Sequence, residues 1–370
     1  MLIISPLIRT VAKIASLVVY VLTIFSAYGG WFNPHIFTFP AIMSLAFPYL
    51  AILSALIAVS WLISGRIFIG ATGIAMLLAC WVPLSMAVPM KFGQKAEPGE
   101  KTFTLLSWNS LHLYDQNDPD RDMSRSIGFL LNCDADIIAC QELFSTDLNP
   151  KLLKDAAPLL DSLYQKYPYR VMGPGCDQSI FSKYPVERIF LHIDQPIHKQ
   201  CYSFYRFNIG GDMLTLANVH LISFTLSDEE RRIITGLRSS ARKSIEEFKG
   251  PLKGKMGFAF AERAESAEEV CQALQNIKGP LIVCGDFNDV PASWTYRVFI
   301  SNGFQDAYAQ TSFGPIHTYN AHMMYFHLDQ ILYRGNLKPL KVKRQSIDTS
   351  DHYPVMASFA FTTSGPVSSD

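Results

Sequence analysis

Several common signatures are missing from the 370-residue sequence. Its seven cysteines include no CxxC pair, so neither a zinc site nor a redox motif is indicated. Six of them follow position 100, and several lie in apolar, strand-like runs where cysteine behaves as a small buried hydrophobe. The cysteines therefore do not identify the compartment. The sequence also has no internal repeat.

A basic surplus is missing as well. The chain has 32 basic and 32 acidic residues, but residues 1–100 contain five basic residues and only two acidic ones. The remainder therefore holds 27 basic and 30 acidic residues. A protein that holds a long nucleic acid by its phosphates usually has a basic surplus. The balance weighs against DNA or RNA as a partner without excluding either.

Long apolar runs dominate the first 92 residues, which we interpret as a membrane domain. Residues 11–30, 39–63 and 67–88 are each long enough to cross a hydrocarbon core, which takes about 20 helical residues. Lys13 is their only internal charge. A signal peptide would explain the first run but not the other two. The sequence thus predicts three transmembrane helices, with a helical hairpin plus a surface segment as the alternative.

The charges around these runs predict an orientation. Arg9 and Lys13 precede the first run and Arg66 lies in the second loop, which places the N-terminus in the cytoplasm. Three spans then predict a multi-pass protein whose C-terminal domain lies on the non-cytoplasmic side. Lys91, Lys95 and Lys101 favour the opposite orientation, although a large following domain weakens their effect.

A linker at residues 93–101 separates this region from a predicted α/β domain at residues 102–361, and residues 362–370 form a Ser/Thr/Gly-rich tail. Strands outnumber helices, which favours stacked sheets with outer helices. We interpret residues 254–260 as a loop or as a lip resting on the membrane. The predicted strands are 102–108, 136–140, 179–181, 188–191, 203–209, 213–220, 281–284, 330–333 and 355–361. The predicted helices are 121–132, 149–166, 227–248 and 262–276.

The informative polar residues of this domain lie where predicted strands end or begin. Strand ends on one edge of a sheet converge, so these side chains can form one site. Each residue alone could serve a turn, a cap or a buried hydrogen bond. Oxygen ligands without cysteine suit Mg²⁺, Mn²⁺ or Ca²⁺ better than zinc. The set comprises Asn109, Glu142, His220, Asp286, Asn288, Asp329, Asp351 and His352.

The ordered motifs WN, QE, NVHL, GDFND, LDQI and SDH resemble the endonuclease/exonuclease/phosphatase superfamily over residues 101–361. The resemblance implies a four-layer α/β/β/α sandwich with the site at one edge of two sheets. It implies a metal site formed by Asn109, Glu142 and Asp351. It implies catalytic roles for the residues His220, Asp286, Asn288, Asp329 and His352.

One motif departs from the family pattern. Many relatives have RIDYI where this chain has His327-Leu-Asp329-Gln-Ile, so the aspartate is kept but its surroundings differ. A helical insertion between His220 and Asp286 is interpreted as a solvated face or as a lid that selects the substrate.

Three functions remain open from the sequence. The first is a membrane-anchored, metal-dependent phosphoesterase whose substrate is a phosphate ester such as a lipid or inositol phosphate head group. The second is a membrane-anchored nuclease, and the third is an inactive membrane scaffold. The third is disfavoured because all eight site candidates are present. Protein partners are not identified.

Overall fold

The computed structural model describes residues 6–149, 153–172, 177–193, 202–224, 253–321 and 324–362. The predicted strands and helices are found largely where the sequence places them, apart from those that fall outside these ranges. The predicted helix at 227–248 lies outside the described residues, as do Cys176, Cys201 and most of the tail. The remaining five cysteines lie within the described residues and are free and buried.

The N-terminal region is helical throughout its apolar runs. The helix α1 is long and apolar enough to span a membrane. The second predicted span is two helices that meet at 61°, and the third is two helices that meet at 72°. Among the helices that the structure describes, α1 alone is therefore an unbroken candidate, and up to three spans result if each bent pair counts as one. The helices are α1 (Pro6–Ala27), α2 (Thr38–Leu45), α3 (Phe47–Ile63), α4 (Ile67–Ala79) and α5 (Trp81–Ala87).

Within its described residues, the C-terminal domain contains two six-stranded sheets and a separate hairpin. Its strands are β1 (Thr102–Asn109), β2 (Ile137–Gln141), β3 (Tyr169–Met172), β4 (Ser179–Ser182), β5 (Val186–Ile189), β6 (Tyr202–Ile209), β7 (Asp212–His220), β8 (Leu281–Asp286), β9 (Gln305–Asp306), β10 (Tyr319–Ala321), β11 (Met324–Phe326), β12 (Asp329–Arg334), β13 (Leu337–Arg344) and β14 (Val355–Phe361). Its helices are α6 (Ser124–Asn132), α7 (Ala157–Lys166), α8 (Lys253–Leu274), α9 (Trp294–Ser301) and α10 (Ala307–Thr311).

The sheets pack face to face between two helical layers. One sheet has the order β13-β14-β1-β2-β4-β3 and the other β5-β6-β7-β8-β12-β9. Side chains such as Leu105 and Leu216 fill the space between the sheets. The helices α6 and α7 cover the outer face of the first sheet, and α8 and α9 cover that of the second. The structure thus has the predicted α/β class and four layers.

Strand direction explains why the polar residues share one edge. The strands β1 and β2 are parallel, as are β7 and β8, so their carboxyl ends lie side by side. The antiparallel neighbours β4, β12 and β14 begin at that same edge. Residues that end β1, β2, β7 and β8 therefore meet residues that precede or begin the other three strands.

Two sequence expectations are wrong in detail. Residues 254–260 do not form a loop, because they lie within the helix α8, and their contact with a membrane stays a prediction. The helix predicted from residue 149 is described as a helix only from Ala157 to Lys166, after a short 3₁₀ turn. The helix α9 and the strand β13 were not predicted.

Close backbone packing at Gly285 fixes the parallel pair β7–β8. Gly285 has φ +139°, a value that L side chains rarely adopt, and a Cβ there would lie 1.9 Å from the carbonyl oxygen of Val219. Only glycine allows the two strands to approach so closely. This approach sets the position of Asp286, the next residue, opposite His220.

We expect Gly285→Ala to lower the free energy of unfolding by about 3 kcal/mol or more, because backbone strain and a backbone clash add. Gly211→Ala is the matched control, since Gly211 also has positive φ but faces open space. The control should lose only about 1 kcal/mol. Chemical unfolding of the full chain in detergent measures both; equal losses would contradict the close-approach argument.

Candidate active site

The carboxylate of Asp286 lies at the centre of the polar cluster and is almost completely buried. Its Oδ1 accepts a hydrogen bond from the backbone N–H of Asn288 at 2.8 Å. Its Oδ2 accepts from Asn109 Nδ2 at 3.1 Å and from Asn288 Nδ2 at 3.2 Å. Asn288 also donates to the carbonyl oxygen of Leu221 at 2.8 Å, which ties the loop after β8 to the end of β7. The carboxylate is therefore held in one orientation.

His352 reaches Asp286 from the start of β14. Its Nε2 lies 3.5 Å from Asp286 Oδ2, and its Nδ1 makes a 2.8 Å hydrogen bond with Asp329 Oδ2. Burial lowers the pKa of His352, but the charges of Asp329 and Asp286 and the Asp329 hydrogen bond outweigh it and raise the pKa to about 10. The geometry thus places the imidazole between two carboxylates, which favour its protonated form.

A second imidazole faces Asp286 from the other side. His220 Nε2 lies 3.9 Å from Asp286 Oδ2 and 3.6 Å from Glu142 Oε1. Its Nδ1 makes a 2.5 Å hydrogen bond with Asp177 Oδ2. Burial lowers the pKa of His220, but the Asp177 hydrogen bond and the charges of Asp286, Asp177 and Glu142 raise it to about 9. Each histidine therefore has its own orienting aspartate.

Glu142 and Asn109 lie together beside Asp286. The side chain of Asn109 donates through Nδ2 to Glu142 Oε1 at 2.9 Å. Glu142 has φ +52°, which is unfavourable for a glutamate and costs on the order of 1–3 kcal/mol. The conformation is maintained by hydrogen bonds from His112 N to the Glu142 carbonyl and from Leu143 N to the Asp177 carbonyl. Such local strain is typical of functional sites.

Asp351 completes the acidic side of the site. Burial raises the pKa of its carboxyl, the charge of His352 lowers it, and the charges of Glu142 and Asp286 raise it further. Five carboxylates surround two imidazoles, so about three negative charges remain even when both imidazoles are protonated. These carboxylates are Glu142, Asp177, Asp286, Asp329 and Asp351. This excess of carboxylate oxygens fits a hard divalent cation.

Two groups of residues could hold that cation. Ligand atoms of Asp286, Asp329 and His352 lie within 4.8 Å of one another. An ion among them would share His352 and Asp329 with the 2.8 Å hydrogen bond that joins these two residues. Asn109, Glu142 and Asp351 offer oxygen atoms only, and oxygen ligands are those that Mg²⁺ prefers. We therefore favour the second group.

The structure brings all eight predicted site residues to one edge, and it adds Asp177, which the sequence reasoning missed. Asp177 precedes β4, which is antiparallel to β2 and so begins beside the end of β2. The same rule of an acid before an antiparallel strand identified Asp329. Asn218 was also missed; it accepts from Gln141 Nε2 at 2.6 Å and donates to the Cys140 carbonyl, and so joins the two sheets below the site.

The fold and this arrangement of residues define a known class. A family model described as "Endonuclease/Exonuclease/phosphatase family" matches residues 106–352, and the chain belongs to that family. A second model, a domain of unknown function (DUF8431), matches residues 9–86.

The individual proteins that this chain resembles share only a small fraction of identical residues with it. The chain is 26% identical over 275 residues to the UPF0294 protein VP2298 of Vibrio parahaemolyticus serotype O3:K6 (strain RIMD 2210633), covering 72% of this chain and 81% of that protein. It is similar to an endonuclease/exonuclease/phosphatase family protein from Bacteroides thetaiotaomicron, with 14% identity, TM-score 0.47 and coverage of 72% and 100%. It is also similar to sphingomyelinase C from Streptomyces griseocarneus, with 15% identity, TM-score 0.43 and coverage of 70% and 99%.

We expect Mn²⁺ or Mg²⁺ to stabilise the full chain, by about 2.7 kcal/mol at a hundredfold excess over Kd. Glu142→Gln should abolish most of this stabilisation, because it removes a ligand charge. Thermal unfolding with increasing metal measures the effect. Glu187→Gln is the control, since Glu187 is exposed and, within the described part of the chain, pairs with Arg206 alone, at 3.8 Å. A full metal response in Glu142→Gln would contradict the assignment.

Proposed function

We propose that the protein is a divalent-metal-dependent phosphoesterase that hydrolyses a phosphate ester carried by a membrane lipid. One observation carries the reaction type: the Nε2 atoms of two aspartate-bound imidazoles both face Asp286 Oδ2, at 3.5 and 3.9 Å. This constellation combines a base with two proton donors at a single point, as ester hydrolysis requires. Membership of the family supports a phosphate ester as the substrate.

Asn109, Glu142 and Asp351 would hold the metal ion, with Mg²⁺ as the proposed species and Mn²⁺ or Ca²⁺ as alternatives. When bound, the ion polarises a phosphoryl oxygen and neutralises charge that develops during the reaction. The remaining site residues then bind the phosphate and move protons.

Asp286 orients the attacking water and accepts its proton, while Asn288 fixes the carboxylate and contacts the water or the phosphate. A bond forms between the water oxygen and phosphorus, and the bond from phosphorus to the ester oxygen breaks. His352, held by Asp329, donates a hydrogen bond to a non-bridging oxygen. His220, held by Asp177, protonates the leaving alcohol oxygen. Water and the ester are converted to a phosphate and an alcohol.

The position of the N-terminal helices supports a lipid-borne substrate. The helices α2 and α3 form a bent unit, residues 38–63, which we call the elbow. On one side, Ala41 of the elbow packs against Met256 and Phe260 of α8. On the other side, the hydroxyl of Tyr49 donates to the carbonyl oxygen of Tyr325 in β11 at 2.8 Å. The elbow thus contacts the C-terminal domain at two separate places.

Both contact places connect directly to the active site. The ring of Phe260 lies 5.1 Å from that of Phe224, four residues after His220. The hairpin β10–β11 carries Tyr319, whose ring lies 5.0 Å from that of His352. The two flanks of the site are therefore bound to the same apolar helical unit. A phosphate attached to a lipid in the surrounding bilayer would have only a short path to the site.

We further propose that the N-terminal helices anchor the protein as a multi-pass membrane protein with its catalytic domain on the non-cytoplasmic side. The charges of Arg9, Lys13 and Arg66 support this orientation. Protease added to cells that keep an intact cytoplasmic membrane, but whose outer envelope has been removed, should digest the C-terminal domain. Full protection of that domain, with digestion after membrane rupture, would contradict the orientation.

We expect the detergent-purified full chain to release phosphorus-containing products from a phospholipid, a sphingomyelin-type lipid or an inositol phosphate, in a reaction that EDTA abolishes. His352→Gln and Asp286→Asn should each lower turnover by about 10²–10⁴-fold, because each removes a proton-transfer or charge-stabilising group. Asp212→Asn is the control, since Asp212 is half-buried and pairs with Lys101 at the start of β7, the end of that strand away from the site. It should leave turnover unchanged.

Two further comparisons separate the parts of this proposal. Tyr49→Ala should lower turnover of the lipid by about tenfold or more through misplacement of the substrate, while a soluble ester with the same head group is cleaved as before. Turnover of plasmid DNA alone, falling steeply with salt, would replace the lipid proposal with the nuclease alternative. A folded, metal-binding protein without turnover of any ester would favour the inactive scaffold.

A further inference from the structure

An apolar cavity of about 410 Å³ lies between the N-terminal helices and the C-terminal domain, away from the catalytic residues. Its volume is within the range of small-molecule sites. The wall residues from the helical region include Ala27, Trp31 and Pro83, and those from the C-terminal domain include Pro291, Ala292 and Arg297. The cavity therefore exists only where the two regions are docked together.

The docking beside this cavity is close. The backbone N–H of Gly30 donates to the carbonyl oxygen of Ala292 at 3.0 Å. A Cβ at Gly30 would lie 2.4 Å from the backbone of Ser293, so no larger residue fits there. Ser293 in turn caps the start of α9 by accepting from Tyr296 N. The cavity is thus bordered by a fixed backbone contact, and its wall follows the loop that begins at Asp286.

One cation lines this apolar space. The guanidinium of Arg297 lies 3.9 Å from the centre of the Trp31 ring. Among the residues that the structure describes, no carboxylate forms an ion pair with Arg297. Trp31 is 60% exposed, and its ring meets that of Tyr28 edge to face at 6.0 Å. An apolar cavity with one unneutralised cation fits an amphiphile with an anionic head.

The location of the cavity indicates the class of amphiphile that would fit it. Trp31 and Tyr28 follow the end of α1, the helix that is long and apolar enough to span a membrane. Tryptophan and tyrosine at the end of a span mark the level of the lipid head groups. The cavity therefore lies at the depth where a phospholipid has its phosphate and the beginning of its acyl chains.

We propose that the cavity binds an anionic phospholipid, with part of an acyl chain inside it and the phosphate paired with Arg297. The inference rests on the membrane anchoring proposed above but is independent of the catalytic activity. The bound lipid would fill the space between α1, α5 and α9 and so fix the catalytic domain against the helices.

Quenching of tryptophan fluorescence by brominated lipids tests the proposal without any activity measurement. The full chain is reconstituted into phosphatidylcholine vesicles that contain a small fraction of phosphatidylglycerol, with bromine on the acyl chains of one lipid or the other. The quenching that Trp31→Phe removes is assigned to Trp31. We expect the quenching assigned to Trp31 to show that phosphatidylglycerol is about fivefold enriched beside Trp31 relative to its share of the vesicle. This is the size expected for one cation near the head groups.

Matched arginine variants decide whether the cavity is responsible. Arg297→Gln should abolish the preference, and Arg297→Lys should retain most of it because the charge is kept. Arg170→Gln should have no effect, since Arg170 stacks on Tyr164 in the same manner, at 4.1 Å, but lies on the catalytic domain. Equal quenching by both lipids, or an unchanged preference in Arg297→Gln, would overturn the proposal. Failure of the protein to float with the vesicles would instead overturn the anchoring.

Discussion

The position of one buried carboxylate, that of Asp286, is the constraint on which the rest of the site depends. A buried charge is costly unless hydrogen bonds and opposite charges compensate for it. Asp286 receives both, from two asparagine side chains and from two imidazoles. Its placement follows from Gly285, which lets β7 and β8 approach closely enough for Asp286 to face His220. Backbone packing in the second sheet therefore determines the geometry of the chemistry.

The two histidines show how similar groups acquire separate tasks. Each imidazole has one nitrogen on an aspartate and the other directed at Asp286, but the aspartates come from opposite sides of the site. The partner of His352 begins β12 in the second sheet, whereas the partner of His220 precedes β4 in the first. The substrate space thus lies where the edges of both sheets meet. Neither sheet alone provides a complete set of groups.

Much of this arrangement could be predicted from the sequence, for reasons that are local. Alternating apolar runs predict strands such as β1 and β8, and the motifs at their ends predict residues such as Glu142 and Asp286. Asp177 was not predicted as a site residue because it follows a glycine-rich segment rather than an apolar run. The antiparallel pairing of β4 with β2 brings it to His220. The breaks in the second and third apolar runs were also missed. Hydropathy registers the length of a run, whereas the breaks at Ala46 and Cys80 lie just before Pro48 and Pro83, which occupy the first turns of α3 and α5 and cannot continue the hydrogen bonding of the preceding helix.

The buried Arg263 illustrates how closely the helical region and the site are joined. Its guanidinium lies 4.0 Å from the ring centre of Phe224 and 3.9 Å from Asp289, and its Nε donates to the Ile222 carbonyl. Burial lowers its pKa to about 10, despite the nearby charges of Asp289 and Asp286. Through these contacts α8, which packs on α2, supports both the segment after His220 and the loop after Asp286. The N-terminal helical region and the loop after Asp286 therefore form one continuous packing unit.

The central claim concerns the attacking group of the proposed reaction: water, held by Asp286, forms a bond to phosphorus. The most direct measurement is hydrolysis, in ¹⁸O-enriched water, of whichever ester the protein cleaves, followed by mass spectrometry of both products. We expect the ¹⁸O in the phosphate-containing product, while the released alcohol keeps its original oxygen. Label in the alcohol, or products without label, would contradict attack of water on phosphorus and with it the role of Asp286.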